Sequence, residues 1–121
     1  MTPFGVRVRK MRAQKGIQLK EMAVDLRVSS AYLSALEHGK RGRPGPGLVM
    51  QIADYFGLIW DQVDELKELA RLSHPRVPVE TGGLSPNATL LANRLAAHIH
   101  ELDEETLKRM LAEMGFDGEE G

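Results

Sequence analysis

Apolar residues in this chain recur at spacings of three and four, in short blocks that end at glycine or proline. That period places one apolar stripe on each of several amphipathic helices, and the predicted fold class is all-α. Thr2 is a candidate N-cap with Pro3 at the first helical position, and Phe4, Val8 and Met11 follow at helical spacing until Gly16. Leu19, Met22, Ala23 and Leu26 mark a second helix over 19–26, weakly capped by Gln18. Arg27, Val28 and Ser29 break the period, and Ser29 or Ser30 caps a third helix that turns Leu33 and Leu36 inward and ends at Gly39. The stretch 39–47 holds four glycines, two prolines and three basic residues, the composition of a loop. Pro46 opens a fourth helix lined by Leu48, Ile52, Ala53 and Phe56 up to Gly57, and Asp61 is the expected cap of a fifth with Val63, Leu66, Leu69 and Ala70 inward.

Beyond Ser73 the pattern changes, because Pro75, Pro78 and two adjacent glycines within 74–83 forbid a helix. Val77 and Val79 alternate about Pro78, which would confine any strand to an edge, so the segment reads as loop. Ser85 and Pro86 then start a sixth helix with the stripe Ala88, Leu91, Leu95, Ile99 and Leu102. Asp103 caps a seventh, with Glu104 and Glu105 in the first turn and Leu107, Met110, Leu111 and Met114 inward before Gly115. Glu104 with Lys108 and Glu105 with Arg109 are spaced for ion pairs along it. The expected organisation is one helical domain over 1–73, a linker over 74–84 and a helical extension over 85–121, frayed from Asp117 to Gly121.

With 121 residues, 42% hydrophobic and 27% charged, the chain can bury one core but not two independent ones. It contains no cysteine, which excludes disulfide scaffolds, thiolate metal sites and cysteine nucleophiles. Neither a signal peptide nor an apolar stretch approaching the ~20 residues that span a bilayer is visible, so the expected location is the cytoplasm, away from membranes. The net charge of -1 conceals an asymmetry: residues 1–50 carry ten basic against three acidic side chains, a net of +7, and residues 51–121 carry six against fourteen, a net of -8. A basic front of this kind suits a polyanionic partner.

Two helices joined by a three-residue turn and followed by a basic loop form the arrangement that lays a second helix in the DNA major groove. Residues 16–40, GIQLKEMAVDLRVSSAYLSALEHGK, resemble the helix-turn-helix of the lambda-repressor and Cro family, also called the xenobiotic-response-element family. The matching features are Lys20-Glu21-Met22-Ala23 on the second helix, Val28-Ser29 before the third and Leu36 to Lys40 at its end, and the resemblance extends over 2 to about 73. It implies a five-helix bundle that binds double-stranded DNA as a homodimer on a palindrome. Base contacts would come from Ser29, Ser30, Ala31, Tyr32, Ser34 and Ala35. Arg12 and Glu37 fall where the family forms a structural ion pair between helices one and three. Four positions depart from the pattern. Leu19 replaces a glutamine that touches phosphate, Arg27 stands where a glycine favours positive φ, and Ala31 and Ala35 cannot hydrogen-bond a base. Phosphate contacts are expected from Lys20, Arg27, Lys40, Arg41 and Arg43.

Nothing in the sequence supports catalysis, a cofactor or a metal. His98 and His100 point to opposite sides of a helix, His38 and His74 have no nucleophile or carboxylate motif, and the glycines of 42–47 match no phosphate loop. Trp60, beside Tyr55 and Phe56, and most of the six methionines are expected in the core. The helices of 85–114 have too little apolar surface to fold alone. They are expected to pair with a second copy, with packing against 1–73 as the alternative. The functional expectation is a transcriptional regulator, more a repressor than an activator. The rivals are a DNA-binding antitoxin whose extension holds a toxin, and a protein-interaction module on a helix-turn-helix scaffold.

Overall fold

A computed structural model of the chain describes residues 1–119; the fraying expected for 117–121 lies partly outside them. The order is α1 (Pro3–Lys15), α2 (Leu19–Leu26), α3 (Ser30–Glu37), α4 (Pro46–Tyr55), α5 (Trp60–Arg71), α6 (Pro86–His98), a single 3-10 turn (Ile99–Glu101) and α7 (Glu104–Glu113), with no strand among the described residues. The backbone clusters into two units, Met1–Val77 and Pro78–Gly121.

In the first unit α2 packs on α3, α4 packs on α5, and α1 lies against both α3 and α5. Phe4 and Val8 from α1, Met22 and Ala23 from α2, Leu33 from α3, Ile52 and Ala53 from α4 and Leu66 from α5 meet in one core. Each large side chain among them contributes roughly 1.5–3 kcal/mol through its removal from water. The start of α1 shows how completely the backbone is satisfied. The Thr2 amide donates to the Glu37 carbonyl at 3.0 Å, Pro3 has no N–H, the Phe4 amide donates to Ser73 Oγ at 2.9 Å, and the Gly5 amide donates to Thr2 Oγ1 at 3.0 Å. Ser73, buried at the end of α5, donates its hydroxyl hydrogen bond to the Leu69 carbonyl at 2.6 Å. Gly16, at φ 66, ends α1 in the left-handed conformation that glycine adopts without penalty.

Several expectations need correction. The α5 helix starts at Trp60, with Ile59 as N-cap and Asp61 inside the first turn; the Ile59 amide donates to Gln62 Oε1 at 3.2 Å, so Asp61 is not the cap. Trp60 is not core: it is 84% exposed, because it precedes the part of α5 that the other helices cover. Of the methionines only Met22 is fully buried, and Met1, Met50 and Met114 are exposed. The third helix stops at Glu37, before Gly39, because the Gly39 and Lys40 amides turn back to the Leu36 and Ala35 carbonyls.

In the second unit Ser85 and Asp103 cap as their positions predict, accepting from the Ala88 and Thr106 amides at 3.3 and 2.8 Å. Those bonds to the Thr106 side chain and backbone hold the Asp103 carboxyl below its usual range. The α6 helix ends at His98 instead of continuing to Leu102, because Ile99–Glu101 tightens into a 3-10 turn. His98 Nδ1 lies 2.5 Å from the Glu101 carboxylate across it. Arg109 donates to Thr106 Oγ1 at 3.2 Å rather than pairing with Glu105. No side chain of α6, the 3-10 turn or α7 is buried, and Leu84, Leu90, Leu91, Ile99, Met114 and Phe116 are more than half exposed.

Candidate nucleic-acid interface

The geometry of the α2–α3 pair is set by its three-residue turn. Arg27 sits at φ 60 and ψ 40, and is the one non-glycine residue with positive φ among the described residues. Its amide and that of Val28 donate to the Val24 and Ala23 carbonyls at 3.1 and 3.0 Å, closing α2. Ser29 then leaves in extended conformation, and its Oγ accepts the Tyr32 amide at 3.0 Å, which starts α3. Ala23 is small where the helices meet, and Met22, Leu26 and Leu33 fill the angle between them. Replacing Arg27 with glycine is expected to raise thermal stability by up to about 1 kcal/mol, the left-handed penalty relieved. A fall in melting temperature would contradict the strain assigned to this turn.

With one face of α3 committed to the core, the opposite face presents the residues singled out from the sequence. Ser29, Ser30 and Ala31 are exposed, and Tyr32, Ser34 and Ala35 are half-buried. Ser29 has a structural duty as the cap, so its hydroxyl keeps its proton and one lone pair for a further partner. The Ser34 carbonyl lies 2.8 Å from His38 Nδ1, which folds the end of α3 upon itself. Leu19 is half-buried and packed against the core, the position an apolar residue takes where a glutamine would reach outward.

The cations surround this face. Lys20 on α2, Arg27 in the turn and Lys40, Arg41 and Arg43 in the following loop are all exposed, and none makes an ion pair among the described residues. The loop is anchored rather than free: Lys40 and Gly42 form an isolated bridge and Pro44 is buried. Arg43 also shares a concavity of about 430 Å³ with Lys67 and Arg71 of α5, two cations the sequence did not single out. Not every nearby carboxylate is neutralised: Glu21 and Asp54 are exposed, and Asp54 shares a hollow with Arg27. Glu37 is 1% exposed and paired with Arg12, whose second nitrogen lies 3.2 Å from Glu37 Oε1. Asp25 accepts the Tyr55 hydroxyl at 2.9 Å. Burial first and Asp25 second raise the Tyr55 phenol above its usual range. Away from the face, Arg7 binds Glu65 at 2.7 Å and holds that carboxyl below its ordinary value.

Tyr55 and Asp25 were missed from sequence, since they tie the end of α4 to α2 across thirty positions. Gly5 was missed too, although a glycine inside a well-patterned helix signals close approach of another backbone. A methyl there would stand 2.2 Å from the Glu37 carbonyl oxygen. Among the described residues no group of three His, Asp or Glu side chains is arranged to hold a metal, and no helix is long and apolar enough to cross a membrane.

A family model described as a helix-turn-helix domain matches residues 3–69. The HTH-type transcriptional repressor RghR of Bacillus subtilis (strain 168) is 31% identical over 88 residues, covering 67% of this chain and 61% of that protein. The uncharacterized HTH-type transcriptional regulator RghRB of the same organism is 38% identical over 53 residues, covering 44% of this chain and 38% of that protein. The chain thus spans less than two thirds of the length of either relative. No solved structure matches it.

Proposed function

This chain belongs to the helix-turn-helix family of transcriptional regulators, and we propose that it binds double-stranded DNA sequence-specifically as a homodimeric repressor, with α3 in the major groove. The observation that carries this reading is the face of α3: small and hydroxyl side chains at its centre, ringed by exposed cations without ion pairs. Lys20, Arg27, Lys40, Arg41 and Arg43 bind phosphate and supply most of the affinity. Ser30, Tyr32 and Ser34 offer hydroxyls to base edges, Ser29 adds the proton its cap leaves free, and Ala31 and Ala35 suit thymine methyls. With so few polar readers, part of the specificity falls to the shape of the site.

The repressor assignment draws on the name of RghR, and the two-fold assembly on the second unit, whose exposed apolar side chains gain from burial against a second copy. A toxin bound by the same extension is the rival occupant. The reading places the protein in the cytoplasm with DNA and assigns it no catalytic step.

Arg41→Glu combined with Arg43→Glu is expected to weaken binding to all sequences alike and to flatten the salt dependence by about 0.9 in log-log slope for each phosphate no longer neutralised. Ser30→Ala or Tyr32→Ala is expected to change the preferred sequence, at about 1–3 kcal/mol for each base-edge interaction removed. Unchanged affinity in the loop double variant, measured by fluorescence anisotropy on labelled duplex across a salt series, would remove the loop from the interface.

A further inference from the structure

Beside the loop that follows α3, a hollow of about 430 Å³ opens where α4 packs on α5. Its floor is apolar and buried, formed by Pro44, Val49 and Ala70. Its rim is cationic, with Arg43 from the loop and Lys67 and Arg71 one turn apart on α5. No carboxylate is among the described residues that line it. We propose that this hollow binds a small amphipathic anion, a flat apolar body bearing a carboxylate, and that the bound anion takes Arg43 from DNA.

The volume falls within the roughly 300–1,000 Å³ of small-molecule sites, which likewise join an apolar lining to a few placed charges. Three like charges around a buried apolar floor repel one another, and low-dielectric walls concentrate their field in the hollow. Little nearby relieves that repulsion. Arg43 and Lys67 make no ion pair among the described residues, and Arg71 pairs with Glu68 of its own helix, where both side chains are more than half exposed. A pair so open to water holds its members weakly. A carboxylate set between the three cations gains from each, and planar guanidinium groups match its two oxygens. The floor decides the class of ligand. A DNA phosphate is served by donors alone and draws nothing from Pro44, Val49 or Ala70, whereas an aromatic ring laid on them is removed from water. Met50, exposed at the edge of the hollow, adds a soft thioether wall for such a ring.

Position gives the ligand a consequence, one that rests on the reading of Arg43 as a phosphate contact. Arg43 belongs both to the cations around α3 and to the rim of the hollow. Held by the carboxylate, it is withdrawn from phosphate. Ligand and DNA then oppose each other, and linkage requires each to lower the affinity of the other by the same factor. Lys67 and Arg71 stand outside the set proposed for DNA phosphate, so the hollow gives them a role.

The probe is β-naphthoate, added to the DNA-free full chain with isotope-labelled methionine methyls. Met50 alone among the six methionines borders the hollow. Its resonance should shift and saturate with a Kd of about 0.1–1 mM, the range open to a ligand of this size. Inorganic phosphate, which lacks the ring, and β-naphthamide, which lacks the charge, should each bind at least about tenfold more weakly. Lys67→Gln with Arg71→Gln should weaken the naphthoate complex at least about tenfold and leave naphthamide binding, melting temperature and duplex affinity as they were. On a labelled duplex, about 5 mM β-naphthoate should lower affinity about fivefold relative to the same concentration of acetate. It should also flatten the log-log salt slope by about 0.9, one phosphate contact. No shift at Met50, shifts confined to the other methionines, or equal binding of phosphate or naphthamide overturns the site. Lost duplex affinity in the Lys67 and Arg71 variant assigns those cations to DNA and overturns it too. Occupancy that leaves duplex affinity unchanged overturns the competition for Arg43. Should the chain bind no duplex, the DNA reading fails separately, and the titration of the DNA-free chain still decides the site.

Discussion

Glu37→Leu is expected to destabilise the protein by about 3–5 kcal/mol, because it leaves the Arg12 guanidinium buried without its counter-charge. Arg12 is 6% exposed and Glu37 1%, so water cannot replace the missing partner. Against a total stability of about 5–15 kcal/mol for a domain, this loss is large. It corresponds to a fall of more than about 10 °C in melting temperature for a bundle of this size. The double variant Arg12→Met with Glu37→Leu should recover most of the loss, since neither side chain then carries a charge and both can pack. A single variant that loses less than about 1 kcal/mol in urea denaturation would show that the pair is solvated.

Gly5→Ala is the second large effect, and its sign is diagnostic. Helix propensity alone predicts that alanine stabilises an interior helical position by about 1 kcal/mol. Here the added methyl would lie 2.2 Å from the Glu37 carbonyl oxygen and 2.8 Å from its carbon, both backbone atoms that no rotamer change can move. The α1 and α3 helices must separate, and the Thr2 bonds to the same carbonyl, at 3.0 and 3.1 Å, must stretch. A net loss of about 3 kcal/mol is expected. A rise in melting temperature for Gly5→Ala would mean that the two helices do not approach this closely. Because α3 carries the proposed reading face, the variant should also lose DNA affinity where it remains folded.

The features that sequence revealed are those set by neighbours along the chain. Thr2, Ser29, Ser85 and Asp103 each accept the amide three residues on, so their helix starts could be placed from the residues themselves. Gly16 and Arg27 both adopt positive φ where the apolar period stops. Asp61 misled because Gln62 reaches back to Ile59 and moves the start of α5 forward. Trp60 misled for a different reason. It lies three residues before Val63, on the inward stripe, but the stripe extends past the end of the bundle and meets no neighbour. Non-local bonds carry no periodic signal. Phe4 to Ser73 and Tyr55 to Asp25 join residues that are far apart in sequence, and the second of them positions the end of α4 beside the proposed interface. The face of α3 could be read in advance because Leu33 and Leu36 determine which side is buried and leave Ala31 and Ala35 on the other, with Ser34 at its flank.

Reading of DNA sequence by α3 within a two-fold complex is the function proposed for this chain. Its most direct test is selection from a random duplex library by the purified chain, with binding to the enriched pool followed against salt. An enriched palindrome is expected, with a steep salt slope that Arg41→Glu with Arg43→Glu reduces. Salt-sensitive binding without enrichment, or no binding, would contradict it and direct attention to a protein partner of the second unit.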